Sequence, residues 1–125
     1  LREGNDLTLI ATGAQVHPCL NAAEQLAASG IQTRVIDMHT ISPLDSEQIR
    51  AAGAETNAIL TVEEHNITGG LGSAVAEVLV DCDRVPFARH GIPDEFAPVG
   101  PPAALYAHYR LDSKGIAARA MELLQ

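Results

Sequence analysis

Tryptophan is absent from this chain of 125 residues, which holds two phenylalanines and two tyrosines. So few rings leave no stacking platform for bases or sugars. Phe87, Phe96, Tyr106 and Tyr109 read instead as core or interface anchors. Positive charge is also scarce: 8 basic residues stand against 16 acidic ones, for a net charge of −8. A surface of that sign repels phosphate backbones and argues against nucleic-acid binding. No block of like charge suggests a disordered tail. No apolar run reaches the roughly 20 residues of a membrane span, and no secretory signal pattern is seen, so a cytoplasmic setting is expected. Cysteine occurs twice, at Cys19 and Cys82, with no neighbouring ligand spacing, which predicts two buried, reduced thiols. The first residue is Leu1 rather than Met; Leu1–Glu3 reads as the tail of a strand, and the chain as a piece of a longer polypeptide.

What remains is an ordinary globular composition, 46% hydrophobic and 19% charged. A chain of this length buries roughly two thirds of its unfolded surface, so it folds without a metal or disulfide. Positions 1–125 read as one domain with no internal linker. Leu7–Ala11 is a short apolar run stopped by Thr12-Gly13, the mark of a buried strand. Val16, Leu20, Ala23 and Ala27 follow at helical spacing, with Pro18 in the first turn and Gly30 as a C-terminal cap. A second strand is predicted over Thr33–Met38. Asp45 and Gln48 form a capping box for a short helix ending before Gly53. A third strand is predicted over Ala58–Val62, a helical stripe from Leu71 to Leu79, and a peripheral fourth strand over Val85–Arg89, interrupted by Pro86. A short helix near Ala103–Tyr109 and a last one capped by Asp112 or Ser113 complete the chain. Strands alternating with helices predict an α/β fold: a three-layer α/β/α sandwich on a mostly parallel sheet of about five strands, with room for one antiparallel edge strand.

Ligands of such sheets sit outside the carboxyl ends of the strands. The residues placed there are Thr12, Gly13, His39, Glu63, Glu64, His65, Gly69 and Gly70. A dinucleotide fingerprint fails, because the first turn, Thr12–Val16, carries one glycine where three are needed. Gly69-Gly70-Leu71-Gly72 suits an anion at a helix start, or simply a sharp turn; the plainer reading is preferred. Glu63, Glu64 and His65 carry ligand chemistry, yet three adjacent residues on an extended chain cannot converge, and a metal would need His39 or another loop. The simpler expectation is carboxylates that accept hydrogen bonds from loop amides and helix termini.

Val62-Glu63-Glu64-His65, followed by Gly69-Gly70-Leu71-Gly72-Ser73-Ala74-Val75-Ala76-Glu77, resembles the C-terminal domain of the transketolase family. Asp37–Asp45, Leu7–Gly13, Phe96–Gly100 and Gly115–Ala118 are similar in the same order, so the resemblance spans nearly the whole chain. It is closest to transketolases split into two subunits. The resemblance implies thiamine diphosphate and magnesium in the full enzyme, with none held in this domain. It implies that the cofactor and the activating glutamate belong to upstream pyrimidine-binding and diphosphate-binding domains, on the same chain or a separate subunit. No catalytic, cofactor-binding or metal-binding residue carries over to these positions. The implied role is structural: the domain, inactive alone, supports the homodimer of an enzyme that moves ketol units between sugar phosphates. Two rivals stand beside it. One is a docking domain of a 2-oxo acid dehydrogenase beta subunit or of a deoxyxylulose-phosphate synthase, whose acidic balance suits a basic partner. The other is an independent metal-binding protein using Glu63, Glu64, His65 and His39.

Overall fold

The computed structural model describes residues 2–38, 44–66, 70–92 and 107–125, the side chains of His65 and Asn66 excepted. Four strands form its sheet: β1 (Leu7–Ala11), β2 (Thr33–Asp37), β3 (Ile59–Asn66) and β4 (Phe87–Ile92). Their order is β2-β1-β3-β4 and every neighbouring pair is parallel. β1 has strands on both sides and layers on both faces, and all five of its residues are buried. That is why it reads as an unbroken apolar run rather than an alternating one.

The helices described in full are α1 (Val16–Ala28), entered through a 3-10 turn at Gly13–Gln15, α2 (Ser46–Glu55), α3 (Leu71–Leu79) and α4 (Ser113–Leu124). Side-chain alternation along the strands divides the core in two. Leu7, Leu9, Val35, Leu60 and Val62 face one way and pack with Cys19, Ala23 and Leu26 of α1 and Ile116 and Ala120 of α4. Ile10, Ile36 and Ile59 face the other way and pack with Ile49 of α2 and Leu71 and Val75 of α3. The result is the expected α/β fold in three layers.

The details depart from expectation in instructive places. The sheet has four strands among the described residues, against about five predicted. Among the described residues the antiparallel pairing is a single bridge, Arg2 to Val35. Just downstream the backbones pack closely: a Cβ on Gly4 would lie 2.5 Å from the Thr33 carbonyl carbon. β3 continues past Val62 to Asn66, and its register against β4 shifts over that extension. β4 begins at Phe87 rather than Val85. Pro86 precedes it, with its carbonyl accepting from the Ile59 amide at 2.9 Å. α2 does not stop at Gly53 but runs on to Glu55. Gly53 is a packing position there, 3.4 Å from Leu79 Cδ2 by its would-be Cβ. The helix ends at Thr56, whose hydroxyl donates back to the Ala52 carbonyl at 2.7 Å and lies 2.8 Å from the Thr8 hydroxyl.

The predicted caps hold: Asp45 accepts from the Gln48 amide at 3.2 Å, and Asp112, rather than Ser113, accepts from the Gly115 amide at 2.9 Å. Gly30 follows α1 at φ 82°, the left-handed conformation of a helix stop. Residues 103–106 of the predicted late helix lie outside the described residues. No helix among those described is long and apolar enough to cross a membrane.

Candidate functional site

The chain leaves β1 toward α1 on one face and leaves β3 toward α3 on the other. β1 and β3 are neighbours in the sheet. Their carboxyl ends therefore flank the topological switch point, where an open parallel sheet forms a crevice. Thr12, Gly13, Glu63, Glu64 and Gly70 all belong to the segments leaving these two ends. His39 and Gly69 lie outside the described residues, as does the His65 side chain.

Glu63 is 1% exposed, and both carboxylate oxygens are occupied. Oε1 accepts from the Leu71 amide at 2.9 Å and Oε2 from the Gly72 amide at 2.8 Å. These are orphan donors of the α3 start, where the helix dipole favours negative charge. Gly70 is the N-cap of this helix and supplies no side chain for the purpose, so the strand supplies the acceptor instead. Gly72 is required for a separate reason. A Cβ there would lie 2.5 Å from Arg89 Cγ and 2.9 Å from the Thr61 hydroxyl oxygen. The Arg89 stem covers the helix start and its Nη1 donates to Ser73 Oγ at 3.2 Å.

Glu64 points to the opposite face, as neighbours on an extended strand must. It is half-buried, and its Oε1 lies 3.9 Å from the place a Gly13 Cβ would occupy. Gly13 has φ 61°, a conformation that favours glycine and starts the 3-10 turn toward α1. Thr12 precedes that turn in extended conformation and makes no side-chain cap. The two adjacent glutamates are thus divided between the two sides of the sheet and do not form one acid–base pair. Among the described residues, no group of three His, Cys, Asp or Glu side chains is arranged to hold a metal ion.

Two residues of this region were not legible as special in the sequence. Gln15 is fully buried, and neither its amide nitrogen nor its oxygen has a hydrogen-bond partner. A glutamine at a helix start reads as solvent-facing. The available signal was its spacing, one turn before Cys19 and two turns before Ala22 and Ala23 on the sheet-facing stripe of α1. His90 is buried in β4, with Nε2 2.6 Å from the Arg110 carbonyl oxygen. Burial lowers its pKa below the usual 6.5. Arg110 itself has φ 60°, strained for a non-glycine, and its guanidinium donates to Glu122 of α4 at 2.9 Å. Gly115 must be glycine beside it, because a Cβ would lie 2.6 Å from Arg110 Cα. This clasp fastens the outer strand to the last helix.

Of the two thiols, Cys19 is buried and its pKa is pushed up to about 12 by that burial. Cys82 is half-buried, not enclosed as predicted, because it follows the end of α3, where its Sγ reaches the Val78 carbonyl at 3.5 Å. Both are free.

Glu63, Arg89, His90 and Arg110 are thus engaged in fastening helices and corners to the sheet. The family profile described as Transketolase, C-terminal domain, matches residues 1–116. The chain belongs to this family. Over 125 residues it is 46% identical to one of the subunits of the apulose-4-phosphate transketolase of Phocaeicola vulgatus, covering 100% of this chain and 40% of that protein. It is 45% identical over 120 residues to a 1-deoxy-D-xylulose-5-phosphate synthase of Geobacter sulfurreducens, covering 94% of this chain and 19% of that one. Among solved structures it superimposes with a TM-score of 0.93 on a split-gene transketolase described as an inactive beta4 tetramer, at 39% identity, over 98% of this chain and 40% of that one. The fold alone is shared with a transketolase of Pichia stipitis, at a TM-score of 0.73 and 19% identity. The chain thus spans two fifths or less of the length of these relatives.

Proposed function

We propose that this transketolase C-terminal domain works within a transketolase assembled from separate subunits, and that it contributes scaffold and interface rather than catalytic groups. The observation that carries the reading is the match along the whole chain, at 46% identity, to a protein named as a transketolase subunit. In this reading, thiamine diphosphate and magnesium are held by pyrimidine-binding and diphosphate-binding domains outside residues 1–125. The assembled homodimeric, cytoplasmic enzyme moves a ketol unit between sugar phosphates. The cofactor supplies the carbanion chemistry. The domain's own polar residues hold α3 and α4 to the sheet, so that it presents a fixed surface to its neighbours. Glu63 supports this assignment, because each of its carboxylate oxygens already accepts from an α3 amide, which is a structural task.

The test has two arms. The complete polypeptide carrying residues 1–125, combined with its diphosphate-binding subunit, should show ketol transfer that requires thiamine diphosphate and magnesium. Residues 1–125 alone, checked for folding by circular dichroism, should give no heat of binding with thiamine diphosphate and magnesium. Stoichiometric binding to the isolated domain would refute the scaffold role. Formation of deoxyxylulose phosphate in place of ketol transfer would move the parent enzyme to the synthase branch, which the 45% identity to such a synthase keeps in view.

A further inference from the structure

We draw no further inference here: the strongest candidate, the crevice over the carboxyl ends of β1 and β3 where the Gln15 amide is buried without a partner, belongs to the site already described, and no group there selects one ligand chemistry over another.

Discussion

Glu63 and Gly72 stand nine residues apart in sequence and 2.8 Å apart in space, carboxylate oxygen to amide nitrogen. With the Leu71 bond beside it, this contact sets where α3 begins. Replacing Glu63 by Gln keeps one acceptor and turns an amide donor toward a backbone donor. Leaving such a buried group unsatisfied costs about 1–3 kcal/mol. The expected result is a Tm lower by several degrees, measured by thermal unfolding of the parent polypeptide. An unchanged Tm would show that the fork contributes nothing.

Gly72→Ala tests the packing above that fork. Its Cβ meets the Arg89 stem at 2.5 Å and the Thr61 hydroxyl at 2.9 Å. Overpacking of this kind costs about 1–3 kcal/mol. Because Arg89 is exposed, the stem can give way while Thr61 in the sheet cannot. Arg89→Ala should therefore recover part of the loss but not all of it. Denaturant midpoints of the two single variants and the double variant measure the coupling; strict additivity would contradict this picture.

The fold was legible in the sequence where one local signal dominated. Leu7–Ala11 was legible because a short apolar run with β-branched residues and a glycine stop favours a buried strand, and all five residues are buried. Asp45 and Asp112 were legible because a cap needs only neighbours in sequence. Gly53 misled, since a glycine that stops a helix and one that lets a neighbouring helix approach look alike until the neighbour is placed. Of the candidate site, the opposed directions of Glu63 and Glu64 were legible, because they follow from strand geometry alone. Gln15 and His90 were not, because their burial depends on which elements cover them.

Gln15→Met removes an amide that has no partner and keeps nearly the same volume. Desolvating an unbonded amide is unfavourable, so the variant should be as stable as the parent or more stable by up to about 1 kcal/mol. A clear drop in Tm would mean that the amide is bonded in solution.

The His90 clasp predicts a direction with pH. Burial, the main cause, lowers the folded-state pKa below 6.5, so the neutral ring is favoured in the folded protein. Its contribution is complete above 6.5, the unfolded value, and is lost as pH falls through the folded pKa. His90→Gln retains a donor for the Arg110 carbonyl and cannot titrate. Between pH 7.5 and pH 5.5 the variant should lose less Tm than the parent. Equal losses would remove His90 as the source.

The two cysteines should separate by reactivity. Cys19 is enclosed, with its pKa at about 12, whereas Cys82 is partly accessible. The thiolate is the reactive form, so alkylation of the native protein at pH 8 should label Cys82 first, read by peptide mass. Preferential labelling of Cys19 would mean that α1 opens readily.

The position of β1 in the middle of the sheet has a consequence for how the domain acquires its shape. Leu7 must wait for Thr33, and Thr8 for Ile59, before either flank is hydrogen-bonded. During synthesis a mostly apolar ribbon is thus made before either of the strands that secure it. Partners so distant along the chain slow folding, because loop-closure entropy must be met before the contacts form. A foreign strand that paired with Leu7–Ala11 before β3 arrived would therefore block the sheet from closing.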